Sequence, residues 1–268
     1  FSLTGQVVIL LLIQTGGLGI MTLSFFAVVA LFEGLSLHDR LLLGRMIQDR
    51  RIARVGRTLS FIIGMTIVCE GIGALVLLSS SGADPSPLAM RVFHALFHAV
   101  SAFCNAGFST HSGNLADPVV AGNAWWQVTI MGLIIIGGLG AFVIEDLWQA
   151  LTTRLHRRRG DAMARHRLNV HTRWVLKVTA ILIVGGAAAI FASEFLLTNG
   201  PRNGGTILTA LFHSVTARTA GFNTVPMPAV GILTLQILML LMFVGGSPGG
   251  TAGGVRTTVV GVGLAQLW

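Results

Sequence analysis

Two short stretches of this chain have the residue types and spacing to hold a dehydrated cation. In one, Ala95-Leu96-Phe97-His98-Ala99-Val100-Ser101 leads into Asn105-Ala106-Gly107-Phe108-Ser109-Thr110. In the other, Ala210-Leu211-Phe212-His213-Ser214-Val215-Thr216 leads into Thr219-Ala220-Gly221-Phe222-Asn223-Thr224. Each copy reads as a short apolar helix followed by a small-residue turn centred on glycine. Backbone carbonyls in such a turn can replace the water around an ion. The turn needs unusual backbone angles, which Gly107 and Gly221 would supply. The preceding helix would present its C-terminal end, which carries partial negative charge. Cys104, Asn105, Ala106 and Gly107, with Thr219, Ala220 and Gly221, are therefore the candidate filter residues. Neither turn contains Asp or Glu, so selectivity would rest on carbonyls and not on a carboxylate ring. The plainer alternative is a pair of interfacial hairpins with no transport role, and the duplication argues against it.

Irregular backbone at membrane depth survives only inside protein or beside water, so the elements around the turns matter next. The chain has 268 residues, 53% hydrophobic and 10% charged, against about 25% charged in an ordinary soluble domain. Five apolar stretches approach or exceed the roughly 20 residues that cross a bilayer as a helix: 5–32, 58–80, 122–150, 173–198 and 228–268. The candidate pore segments, 88–109 and 203–224, follow the second and fourth. Of 18 Lys and Arg, six lie between Arg40 and Arg57 and eight between Arg154 and Lys177. Basic clusters between spans mark cytoplasmic loops and suit anionic lipid headgroups. The net charge of +8 is thus explained without nucleic acid. The pore segments then dip in from the outer face. Leu37 to Ile52 could form an interfacial helix capped by Ser36, and 156–171 reads as a polar cytoplasmic linker.

A second repeat supports this layout. Gln6-Val7-Val8-Ile9 precedes Gly16-Gly17-Leu18-Gly19, and Gln127-Val128-Thr129-Ile130 precedes Gly137-Gly138-Leu139-Gly140 at the same spacing. Repetition of this kind decides a fold more firmly than local propensity. The expected fold is an all-α membrane protein of repeated span–pore helix–span units. Its parts are a closing span (1–36), a basic linker (37–56), a second repeat with a pore loop (57–152), a basic linker (153–172), and a third repeat with a pore loop and a glycine-broken span (173–268).

That last span cannot run as a regular helix through Gly245-Gly246-Ser247-Pro248-Gly249-Gly250-Thr251-Ala252-Gly253-Gly254, because glycine and proline break it. Directly below a filter, such a break would obstruct the pathway, so these residues and Arg256 are candidate gate residues. A packing kink is one alternative. A nucleotide phosphate loop is another, but Arg256 stands where that motif needs Lys.

Intramembrane ionisable groups usually pair or line a pathway. Glu70, Glu194 and Arg218 all fall at filter depth, and Arg218 is expected to pair with Glu70 or Glu194 and brace the filter. Glu145 and Asp146, near the inner end of the third span, would pair with the basic loops. His98 and His213 lie at matching helix positions and read as packing or hydrogen-bonding groups. Cys69 and Cys104 show no metal or disulfide spacing. No constellation for nucleophilic or acid–base catalysis is present, so an enzyme is not expected.

Ser101-Ala102-Phe103-Cys104-Asn105-Ala106-Gly107-Phe108-Ser109, the run Ser214 to Thr224, and the run Gly245 to Thr258 together resemble the signatures of the Trk/Ktr/HKT superfamily, with its KtrB branch of potassium-uptake subunits the best fit. The resemblance implies four span–pore–span units around one pseudo-fourfold pore, with Gly107 and Gly221 as filter glycines and Gly245 to Thr258 as an intramembrane gating loop. It implies potassium as the ion moved, with sodium as the competing candidate. It also implies a multi-pass protein of the plasma (inner) membrane, working as a homodimer on a cytosolic ring of nucleotide-binding regulatory subunits. Two of the four filters are found here, so the chain reads as partial and would not close that pore alone. Arg256 replaces the family's more usual Lys, which keeps charge but alters donor geometry. A non-conducting regulatory subunit and an alternating-access carrier are the readings from other classes.

Overall fold

The structure, a computed structural model, describes residues 2–33, 55–81, 85–118, 120–158, 167–194 and 207–266. The expected interfacial helix at 37–52, half of the 156–171 linker (159–166) and the expected linker at 198–205 lie outside them. The described residues are mainly helical: α1 (Leu3–Glu33), α2 (Val55–Ser80), α3 (Leu88–Phe103), α4 (Ala124–Leu139), α5 (Ala141–Arg158), α6 (Val170–Ala192), α7 (Ile207–Thr216), α8 (Ile232–Phe243) and α9 (Thr257–Gln266).

Burial is arranged for a lipid solvent. Ile181 and Leu240, 70% and 74% exposed, face outward, while His98, Ser101, Ser214 and Ser247 are fully buried. In lipid the polar groups must find partners inside, and apolar side chains can face out. By length and apolarity, Ser60–Ser80 and Val170–Ala192 can each cross a membrane. At 1.5 Å per residue the 31 residues of α1 extend roughly 46 Å.

The two short helices sit at the centre. α3 packs on α2 and α4, α7 packs on α6, and α4 and α7 touch each other. Their C-terminal halves are buried on every side: Phe97, Ala99, Ala102 and Phe103 in α3, Phe212 and Val215 in α7. Phe97, Phe103, Phe212, Phe222, Trp126 and Ile130 belong to one hydrophobic cluster joining the two. Asn123 caps α4 at its N-terminal end, accepting from the amides of Trp125 and Trp126. Its amide also donates to the Ser80 carbonyl at the end of α2, fixing both helices that flank α3.

The third expected span, 122–150, is not continuous. α4 and α5 meet at 100°, with Gly140 between them at φ +81. That left-handed conformation favours glycine and stops the helix. The fifth stretch is interrupted as anticipated, with α8 ending at Phe243 and α9 starting at Thr257.

Candidate functional site

The turns after α3 and α7 are built alike. Gly107 has φ +73 and Gly221 φ +83; two residues before each, Asn105 and Thr219 have φ 53 and 72. The hydroxyl closing each helix clasps its turn. Ser101 Oγ donates to the Phe108 carbonyl at 2.7 Å. Thr216 Oγ1 donates to the Phe222 carbonyl and accepts from the Phe222 amide, both at 2.8 Å. The first clasp encloses one residue more, spanning seven positions against six. Behind the turns, His98 and His213 hydrogen-bond as anticipated. His98 Nδ1 must donate to the His94 carbonyl at 2.7 Å, because a carbonyl only accepts. The neutral ring then accepts at Nε2 from Ser109 Oγ, 2.9 Å away. His213 Nε2 meets Thr224 Oγ1 at 3.4 Å.

The turns meet backbone to backbone. A Cβ at Gly107 would fall on the carbonyl oxygen of Ala220 and lie 2.9 Å from Gly221 Cα. Among the described residues no hydrogen bond reaches the carbonyls of Cys104, Asn105, Ala106, Thr219, Ala220 or Gly221. Cys104, Asn105 and Ala220 are buried residues, and buried carbonyls are almost always paired. Gly107 differs, since its carbonyl accepts from Asn114 Nδ2 at 3.3 Å.

The glycine-rich run from Gly245 folds as a closed loop beneath the turns. Its two limbs pair through Gly245 N to Val255 O (3.0 Å) and Gly246 N to Gly253 O (3.3 Å). It is seated on the end of α4. The amides of Ser247 and Thr251 donate to the carbonyls of Gly138 and Gly137 at 3.0 and 3.1 Å, and Ser247 Oγ donates to the Leu139 carbonyl. Those carbonyls are the orphans that every helix C-terminus leaves. Arg256 closes the base, with Nη1 donating to the carbonyls of Ala252 and Ser247 at 2.9 and 3.3 Å. Pro248, Gly249 and Gly250 form the tip. The Gly249 carbonyl accepts from the Ala141 amide, at 3.3 Å, and a Cβ at Gly140 would come within 2.7 Å of Gly250 N. Asn105, Ile134, Val215, Arg218 and Ala252 line a small cavity between turns and loop.

The expected pairing of Arg218 with Glu70 or Glu194 is not made. Arg218 Nη2 donates to the Gly245 carbonyl at 3.2 Å and to Thr179 Oγ1 at 3.5 Å. Glu70 instead accepts from Gln14 Nε2 at 3.2 Å, with Cys104 Sγ 3.9 Å from its other oxygen. Glu194 accepts from the Gly231 amide at 3.1 Å, at the start of α8. A guanidinium carries five donors, and here Nη2 serves a carbonyl of the glycine loop that no backbone amide reaches among the described residues. Asp146 bonds the amide and side chain of Asn169, the N-cap of α6, at 2.9 and 3.0 Å. Sequence reasoning passed over Ser101 and Thr216, and placed Thr251 in the gate without its tie to the first turn. Ser101 and Thr216 had a signal, a hydroxyl residue three after each matched histidine. The tie from Thr251 to Asn105 and Phe103 had none, because those partners are distant in the chain.

Short buried helices ending in left-handed turns, beside a glycine loop and among apolar helices, make this a helical membrane protein. The comparisons make this specific. The TrkH family model, described as cation transport protein, matches residues 2–267. The Ktr system potassium uptake protein B of Vibrio alginolyticus is 34% identical, over 100% of this chain and 57% of its own length. The potassium/sodium uptake protein NtpJ of Enterococcus hirae is 33% identical, over 98% of this chain and 55% of its own. The crystal structure of the potassium transporter TrkH from Vibrio parahaemolyticus shares the fold, with a TM-score of 0.65 at 17% identity over 96% of this chain and 48% of that one. The chain belongs to the TrkH cation transport family and is a multi-pass plasma-membrane protein. It spans a little over half the length of the curated relatives it matches.

Proposed function

We propose that this chain is the ion-translocating part of a potassium-uptake subunit. Cys104 to Gly107 and Thr219 to Gly221 act as two filter turns, each following the pore helix of one span–pore helix–span repeat. Gly245 to Gly254, with Arg256, acts as the gate below them. The observation that carries this reading is the backbone-to-backbone meeting of two turns, six of whose carbonyls are reached by no hydrogen bond among the described residues. Unpaired carbonyls at membrane depth are costly unless something supplies positive charge, and a dehydrated potassium ion would do so. Uptake needs no chemical step, because the membrane potential contributes about 2.3 kcal/mol per charge for each 100 mV. Ser101, Thr216, His98 and His213 hold the turns from behind.

Sodium conduction, or sodium moved with potassium, is the second reading, favoured by the likeness to a relative named for both ions. By analogy with the Ktr relatives, the full-length protein is proposed to form a homodimer on cytosolic nucleotide-binding subunits. The test is growth at low external potassium in cells lacking their own uptake systems, with the full-length protein and its Gly221→Ser variant. Rescue by the wild type, weakened or made sodium-permissive by Gly221→Ser, supports the filter. No rescue from well-expressed protein moves the assignment to a regulatory role.

A further inference from the structure

The left-handed residue of each turn that is not glycine does something the glycine cannot. Asn105 and Thr219 hold φ of 53 and 72, a region that costs an L-residue roughly 1–2 kcal/mol and is an outlier for a β-branched one. Both direct their side chains onto the glycine loop. Asn105 Nδ2 donates to Thr251 Oγ1 at 2.7 Å. Thr219 Oγ1 accepts from the Gly253 amide at 2.9 Å. Thr251 Oγ1 in turn donates to the Phe103 carbonyl at 2.9 Å, the last residue of α3. Arg218, next to Thr219, reaches the loop's other limb at Gly245. The closed loop is therefore tied to both turns by side chains, within two loop positions of one another.

We infer that Asn105 and Thr219 are positioning residues that latch the loop to the filter, so that gate position and ion selectivity form one coupled equilibrium. The inference rests on the filter-and-gate reading above. With the loop in place, its bonds brace two strained backbone residues. When the loop leaves, Asn105 and Thr219 lose those partners and the turns lose their brace. Linkage makes the coupling reciprocal: an ion that favours the braced turns also favours the closed loop.

The test uses the full-length protein in proteoliposomes, reading rubidium influx and the potassium-to-sodium ratio, with melting curves to match folded protein. Thr251→Val keeps shape and removes the hydroxyl. It loses two bonds, from Asn105 and to the Phe103 carbonyl; at about 1 kcal/mol each, basal influx should rise about fivefold to thirtyfold, and the potassium-to-sodium ratio should fall although the substitution is in the loop. Thr219→Val should do the same from the filter side. Asn105→Gly, which retains the left-handed angle, should add less than about twofold to Thr251→Val, because Thr251→Val already removes the bond that joins the two residues. Multiplying effects, or raised influx at an unchanged ion ratio, would overturn the latch. Gly245→Ala separates the underlying reading: a Cβ there falls on the Gly253 carbonyl oxygen, so the closed loop cannot form. If Gly245→Ala leaves basal influx unchanged, the gate itself is wrong and the latch goes with it.

Discussion

Gly107 and Gly221 look interchangeable in the sequence, yet alanine should harm them very unequally. Both have positive φ, +73 and +83, so alanine at either costs roughly 1–2 kcal/mol in backbone strain. Their surroundings differ. At Gly221 the nearest neighbour to a Cβ is Gly107 Cα at 3.5 Å, an ordinary contact. At Gly107 a Cβ falls on the Ala220 carbonyl oxygen, with Gly221 Cα at 2.9 Å and Gly221 C at 3.0 Å. Those atoms are backbone and cannot rotate aside. Overpacking of this kind costs about 1–3 kcal/mol more, which converts to about a fivefold to a hundredfold difference in occupancy of the working filter. The assay is rubidium uptake by the full-length protein at matched membrane expression. Gly221→Ala should retain measurable uptake, and Gly107→Ala should fall at least about fivefold below it. Equal losses, or a worse loss at Gly221, would refute the claim that the turns touch in this way.

Other perturbations follow from the same contacts. Thr216→Val removes both bonds to Phe222 and should lower the potassium-to-sodium ratio several-fold by electrophysiology, with Thr216→Ser close to wild type; equal effects would exclude the hydroxyl clasp. Because Arg218 bonds Gly245 and Thr179, Glu70→Arg should not rescue uptake lost in Arg218→Glu, and rescue would restore the ion-pair account. Gly140→Ala combines strain at φ +81 with a Cβ 2.7 Å from Gly249 C. It should unseat the loop, lowering the melting temperature and raising basal influx, and an unchanged protein would contradict the seat.

Much of the plan was legible because it is local. The helix–turn repeat, the left-handed glycines of its turns and the broken last span each follow from residue types and spacing over a dozen positions. What was not legible depended on distant partners. Gly16-Gly17-Leu18-Gly19 and Gly137-Gly138-Leu139-Gly140 share one pattern, yet α1 runs straight through the first and α4 stops at the second. The difference is the glycine loop, whose Ser247, Gly249 and Thr251 occupy the backbone around Gly137 to Ala141. Without the loop's position, a lone glycine in an apolar run reads as tolerated. Arg218 was misassigned for a related reason. A buried cation suggested a carboxylate, but the loop offers a bare carbonyl that no spacing rule reveals.

The most direct test of the central claim is the position of the ion itself. Crystals of the full-length protein, grown with rubidium in place of potassium, should show anomalous density at the junction of Cys104–Gly107 and Thr219–Gly221, coordinated by backbone carbonyls. Density confined to side-chain oxygens elsewhere, or none at that junction, would contradict a carbonyl filter built from these two turns.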